Sequence, residues 1–262
     1  MTRPSDLSIA YEVEGEGIPL VFIHQVATDH RLWYHQHAYF HTRYRTLTVD
    51  VLGHGPVEWP LGDRSLERAA HRVQQLFQRL GTGPAFVIGV SAGAAVAMLI
   101  ALEAPTLLQG LVLINPWSAP NAHVRSLGER LFRLAESKDM VAYMDLFERY
   151  AFPVDAVGRQ HTEVERLRTL VLEQDPRAVA YAWAACLAFD LDERLAEVTT
   201  PSLIIAGLHD LFTPPYLAHE VAKQLPEAEL EVWEETGHFP FLEDPRRFNT
   251  RLEAFIHRCL TR

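Results

Sequence analysis

Apolar residues in this chain recur with two periods. Short apolar or alternating runs bounded by Gly, Pro, Asp and Asn read as strands over residues 7–14, 20–24, 46–51, 85–90, 107–114, 202–206 and 229–233. The first two are expected to pair as a hairpin whose turn holds Gly15 and Gly17. Between the strands a helical period takes over. Residues 65–80 place Leu66, Ala69, Val73, Leu76 and Leu80 on one face and stop at Gly81. Residues 91–104 and 244–260 read as further framework helices. Strands alternating with helices predict the α/β class with a doubly wound, mostly parallel sheet. From 116 to 198 the strand pattern disappears. Helical segments at 124–135, 140–150, 163–173 and 177–186 alternate there with Pro- and Asp-containing breaks. The expected organisation is therefore a core of residues 1–115 and 199–262, with 116–198 as a helical insertion.

The most informative junction lies between Phe86-Val87-Ile88 and Ala94-Ala95-Val96-Ala97-Met98. It carries Gly89-Val90-Ser91-Ala92-Gly93, a G-x-S-x-G pattern in strand–turn–helix context. A turn sharp enough to lift Ser91 Oγ off the sheet edge brings backbone segments too close for side chains at the flanking positions. A serine hydroxyl needs a base to become a nucleophile, and the base needs an orienting acid. Asp210 follows the apolar run at 202–206, ahead of a helix opened by Pro214 or Pro215. His238 follows the run at 229–233, at a strand's carboxyl end, where open α/β sheets place their sites. The order serine, acid, histidine is the one expected of such an elbow. Two structural readings compete: Asp210 as a helix cap, and His238 as one of thirteen histidines with ordinary core or surface roles. His209 precedes the acid and is read as a pocket or surface residue.

These residues resemble the α/β-hydrolase superfamily from about residue 7 to the C-terminus, nearest to its carboxylesterase, 3-oxoadipate enol-lactonase and aminoacrylate hydrolase groups. Leu20-Val21-Phe22-Ile23-His24-Gln25-Val26 is similar to the strand and His-Gly loop of that family, with Trp33 at a position often aromatic. Val49 to Gly55 resembles its D-x-x-G-x-G turn, and Gly237 to Pro245 its segment around the catalytic histidine. The resemblance implies Ser91, Asp210 and His238 as catalytic residues and the backbone N–H groups of Val26 and Ala92 as oxyanion donors, each worth on the order of 3 kcal/mol in the transition state. It also implies that the insertion is a cap over the site. Asn115-Pro116-Trp117 with Phe147, Tyr150 and Phe152 resembles the caps of the lactonase and aminoacrylate groups. Trp117, Phe147, Trp183, Phe189, Phe212 and Phe239 are candidate pocket residues, although aromatics at helical spacing also serve as core. Gln25 stands where the family has glycine. If that position needs positive φ, a glutamine there costs roughly 1–2 kcal/mol. It is expected to reshape the entrance or lend its amide to the substrate or oxyanion. The second departure, Gly55-Pro56-Val57, is read as structural.

Composition narrows the reading further. The chain has 262 residues, 48% of them hydrophobic and 22% charged, as in globular domains. A net charge of −10 argues against nucleic acid and anionic membranes as partners. No apolar run is long enough to span a bilayer, and Met1 to Asp6 lacks a signal-peptide core. Cys186 and Cys259 make no disulfide framework and suggest a cytoplasmic setting. His30, His35, His37 and His41 invite a metal reading but read better as a solvated helix face. No metal or cofactor is expected; the partner is a small-molecule substrate, and the chain a monomer or homodimer. The expectation is a serine hydrolase of small carboxylic esters or lactones. Carbon–carbon or amide and enamine hydrolysis with the same triad, and a slow-turnover ligand sensor, are the alternatives. An aspartate-nucleophile enzyme is disfavoured by serine at position 91.

Overall fold

The computed structural model describes residues 9–56, 65–153 and 161–261. Leu7, where the first predicted strand starts, and Val57 lie outside them. Seven strands form one sheet: β1 (Tyr11–Glu14), β2 (Pro19–Ile23), β3 (Arg45–Val49), β4 (Ala85–Val90), β5 (Leu108–Ile114), β6 (Ser202–Gly207) and β7 (Ala228–Trp233). Their spatial order is β1-β3-β2-β4-β5-β6-β7, with every neighbouring pair parallel except β1 and β3. The alternation of strands and helices thus does produce a mostly parallel, helix-flanked α/β sheet.

The expected hairpin of β1 and β2 does not form. β1 lies antiparallel to β3, with Tyr11 opposite Val49 and Glu14 opposite Thr46, while β2 runs parallel between β3 and β4. Burial gives the reason. Pairing β1 with β2 would leave β3, buried from Thr46 to Val49, at an edge and carry Glu12 and Glu14 inside the sheet. Instead the charged strand takes the edge, where its exposed carboxylates also discourage pairing with other chains. β2, β4 and β6 are buried at every position, as strands covered on both faces must be.

The flanking helices follow their sequence signals. α1 (Tyr34–Phe40) packs on the C-terminal helix, α10 (Pro245–Leu260). α2 (Leu66–Leu80) begins where Ser65 accepts the N–H of Arg68 and ends at Gly81, at φ 56°. α3 (Ala92–Glu103) is apolar on all sides, and every residue from Ala92 to Ala101 is buried. Among the described residues four α-helices lie between β5 and β6: α4 (Ala122–Glu136), α5 (Met140–Ala151), α6 (His161–Leu172) and α7 (Pro176–Ala188). Asn121, Asp139 and Asp175 cap α4, α5 and α7 by accepting N–H groups from the first turn. α4 packs against α5 and α7, and α5 against α6. α8 (Pro215–Gln224) and the short α9 (Pro240–Glu243) complete the described helices. None of these helices is long and apolar enough to cross a membrane.

The β4–α3 turn depends on absent side chains. A Cβ on Gly89 would meet Gly93 O at 2.2 Å, and one on Gly93 would meet Ile23 O at 2.3 Å and His24 O at 2.5 Å. All three are backbone atoms of buried segments, so relief requires the sheet edge to move. Gly93→Ala is expected to destabilise the protein by about 2–4 kcal/mol. Gly81→Ala, where the space is open and only the left-handed backbone is strained, should cost about 1 kcal/mol. Urea unfolding of the two variants beside the parent measures both.

Candidate active site

Ser91 joins β4 to α3 at φ 52° and ψ −116°, a backbone conformation that costs a non-glycine residue on the order of 1–3 kcal/mol. The turn is held by Ser91 N–H donating to Ile114 O at 2.9 Å, and by Ser91 O accepting the N–H groups of Ala94 and Ala95. Asp210 sits in the loop after β6 and is fully buried. Both carboxylate oxygens are filled. Oδ1 accepts the N–H groups of Phe212 and Thr213 at 2.8 and 2.9 Å. Oδ2 accepts Thr213 Oγ1–H at 2.8 Å and faces His238 Nδ1 at 2.7 Å. A carboxylate acceptor at that distance places the imidazole proton on Nδ1 and leaves the lone pair on Nε2. The imidazole is boxed edge-to-face by Phe147, Phe212 and Phe239, with ring centroids 6.0, 5.1 and 5.1 Å away. Asp210 does not cap α8, whose entry is at Pro214, and His209 is exposed.

The loop after β2 completes the arrangement. Buried His24 has its pKa lowered by desolvation. In the neutral ring Nδ1–H donates to Gln25 O at 2.7 Å, and Nε2 accepts Val51 N–H at 2.9 Å. His54 Nε2 accepts Ala27 N–H at 2.8 Å. Ala92 is the first residue of α3, so its N–H has no partner inside the helix. Among the described residues no acceptor meets the N–H of Val26 or of Ala92. The positive φ of this loop falls on Ala27, at 63°, and not on Gln25. The strain considered at position 25 is therefore carried two residues later, and Gln25 is free to hold a side chain. That side chain is buried and reaches the imidazole: Oε1 lies 3.1 Å from His238 Nε2, and Nε2 of the amide has no partner among the described residues. Ser91 Oγ likewise makes no hydrogen bond among them.

Residues 18–245 match the model of the alpha/beta hydrolase fold. This chain belongs to that family. A relative from Stutzerimonas stutzeri named "Putative carbamate hydrolase RutD" is 33% identical over 211 residues, which is 79% of each chain. A thermophilic esterase from Thermogutta terrifontis superposes with a TM-score of 0.87 at 24% identity, over 96% of this chain and 93% of the other. The enol-lactonase from Burkholderia xenovorans LB400 gives 0.86 at 23% identity, over 95% of each.

Within the alpha/beta hydrolase fold, this chain brings its predicted site residues together unequally. Gln25, Phe147, Phe212 and Phe239 touch His238, and Trp183 packs on Phe212 at 5.6 Å. Trp117 and Phe189 instead stack on one another edge-to-face at 5.3 Å. The clustered histidines find other partners: His37 faces Glu14 and Thr46, His35 faces Glu163, and His41 sits on His37 O. Asp29, His30 and Asp50 do bring one donor atom each within 4.8 Å of one another. Each carboxylate is already compensated, Asp50 by His30 and Asp29 by Arg31. Burial works against the Asp29 charge, yet the Arg31 guanidinium holds its pKa down at about 2.

Three supports of the site were missed from sequence. Asn115, at φ 47° just after β5, accepts Gly207 N–H at 3.0 Å and donates Nδ2–H to His238 O at 2.8 Å and Gly237 O at 3.3 Å. It ties the acid's strand to the histidine's loop. The signal for it was faint: asparagine is among the few residues that visit the left-handed region readily. The last turn of α5 is the second support. Tyr150 O accepts Leu211 N–H at 2.9 Å, and Ala151 O accepts His238 N–H at 2.6 Å, so orphan carbonyls at a helix end are satisfied by the two site loops. The third is Glu243, whose carboxylate accepts the N–H groups of Gly237 and Phe239 on either side of His238. Burial pushes its pKa up to about 7.

Two outcomes follow from these supports. Asn115→Ala should lose about 2–4 kcal/mol of unfolding free energy by chemical denaturation, since it leaves buried backbone groups unpaired. For Glu243 the folded state binds a proton up to about pH 7, while the unfolded chain releases it near 4.5. Its contribution is therefore fully present below 4.5 and is lost as pH rises through about 7, by on the order of 3 kcal/mol. Unfolding free energies of Glu243→Gln at pH 4.5 and 7.5 should lack that share of the decline seen in the parent.

Proposed function

We propose that this hydrolase works by nucleophilic catalysis on a carbonyl carbon, with Ser91 as nucleophile, His238 as general base and acid, and Asp210 as the orienting group. The observation that carries the reading is the buried 2.7 Å contact between His238 Nδ1 and Asp210 Oδ2, in a chain whose strand–turn–helix serine is held at positive φ. A fully buried carboxylate facing Nδ1 stabilises the imidazolium that forms when Nε2 takes a proton. In the mechanism Ser91 Oγ attacks the carbonyl carbon as its proton passes to His238 Nε2. The N–H groups of Val26 and Ala92, which meet no acceptor among the described residues, hold the resulting oxyanion. The imidazolium then hands its proton to the leaving group. Water, deprotonated by the same nitrogen, clears the acyl-enzyme and restores the serine.

The helical insertion of residues 116–198 is read as a cap. Phe147 of α5 packs on the imidazole and on Phe212, and Trp183 of α7 packs on Phe212, which favours a small substrate with an apolar acyl part. Small carboxylic esters or lactones are the first substrate class, in keeping with the esterase and enol-lactonase that share the fold. Carbamates are the second, because the relative from Stutzerimonas stutzeri carries that name. A low turnover, of the kind expected in a ligand sensor, is favoured by one observation only, the amide of Gln25 on His238 Nε2. The free thiols Cys186 and Cys259 suit a reducing, cytoplasmic setting.

Hydrolysis of p-nitrophenyl acetate, p-nitrophenyl butyrate and a phenyl carbamate by the parent and Ser91→Ala tests the reading. Turnover on at least one should fall about 10⁴-fold or more in the variant. Turnover retained by Ser91→Ala would overturn the assignment of the nucleophile.

A further inference from the structure

The mechanism above needs one hydrogen-bonding direction free, that of His238 Nε2, and in this structure it is taken. Gln25 Oε1 sits there at 3.1 Å, while the amide nitrogen beside it is buried and has no partner among the described residues. The two facts are linked. With the imidazole proton on Nδ1, towards Asp210, Nε2 carries a lone pair and calls for a donor. The carbonyl oxygen suits only the imidazolium. Half a turn about the last side-chain bond exchanges oxygen for nitrogen, and such an exchange is decided by the hydrogen-bond network. The amide can therefore accept from the charged ring or donate to the neutral one, and in either orientation it covers the atom that must take the serine proton.

Resting on the proposed roles of Ser91 and His238, we propose that Gln25 is a built-in plug on the base, displaced when substrate enters. Only the side chain has to move. Its backbone is pinned because His24 Nδ1–H and Thr28 Oγ1–H both donate to Gln25 O, and His54 receives Ala27 N–H. Glutamine has enough rotatable bonds to swing while the loop stays in place. Binding then includes the cost of uncapping His238, and the apparent affinity for substrate is reduced by the fraction of molecules in which the base is exposed. Once displaced, the amide is a free hydrogen-bonding group at the rim of the site. Gln25 is thus a positioning and specificity residue acting through His238. A glycine at this position has no side chain with which to do the same.

Diethyl p-nitrophenyl phosphate reports on base availability directly. Ser91 Oγ forms a bond to phosphorus, p-nitrophenolate leaves, and the serine proton passes to His238, so one equivalent of coloured product marks each enzyme labelled. The parent, Gln25→Ala, Gln25→Met and Ser91→Ala would be compared, each checked for an unchanged melting temperature. Uncapping should speed labelling roughly fivefold in both Gln25 variants, the scale of one lost neutral hydrogen bond. For p-nitrophenyl acetate KM should fall by a similar factor with kcat little changed. A purely structural role for Gln25 would slow labelling, and an equal or slower rate in the folded variants overturns the proposal. Labelling that persists in Ser91→Ala, or is absent from the parent together with all ester turnover, would instead overturn the nucleophile assignment on which the plug rests.

Discussion

A carboxylate with no solvent contact must find donors for both of its oxygens, or its charge is not tolerated. Asp210 meets that demand locally and once. Two backbone N–H groups, one threonine hydroxyl and one imidazole converge on it, and each donor constrains a different segment. The Phe212 and Thr213 amides curl the loop after β6 back on itself. The imidazole fixes the loop after β7. Remove the charge and the ring loses both its tautomer and its reason to stay, so the placement of the His238 imidazole is a consequence of how this one anion is solvated by protein.

Strain is distributed with the same logic. Four of the five non-glycine residues at positive φ among the described residues, Ala27, Leu52, Ser91 and Asn115, lie one to four residues beyond the carboxyl end of β2, β3, β4 and β5 respectively. The strands behind them are apolar, and β2, β4 and β6 are buried throughout. A packed sheet can hold such conformations because its buried strands leave the rim no room to relax. The fold thus invests its stability in side-chain burial behind the rim and releases some of it where chemistry is to happen.

What could be read from residues alone divides along sequence distance. The elbow was legible because its requirement is local: Gly89 and Gly93 lie within the turn that needs them. The helices of the insertion were legible from their period and caps, and the serine–acid–histidine order from strand ends. The pairing of β1 was not, since which strand takes an edge depends on how charged Glu12 and Glu14 compare with the other six strands. Asn115 and Gln25 were hidden for a related reason. The amide of Asn115 acts on residues 122 and 123 positions away, and that of Gln25 on an imidazole 213 positions away. Gln25 drew notice as a departure from glycine, but a strain argument could not foresee that the left-handed residue would be Ala27.

The attachment of α5 sets a limit on modularity. Its final carbonyls are bonded to the backbone of Leu211 and His238, so the insertion and the loops after β6 and β7 share one hydrogen-bonded seam. A hinge placed at that seam would disassemble the machinery each time it opened. For protein engineering the same seam marks a cut line: helices exchanged from related scaffolds should be joined upstream of Tyr150, keeping the last turn of α5 with the core it serves.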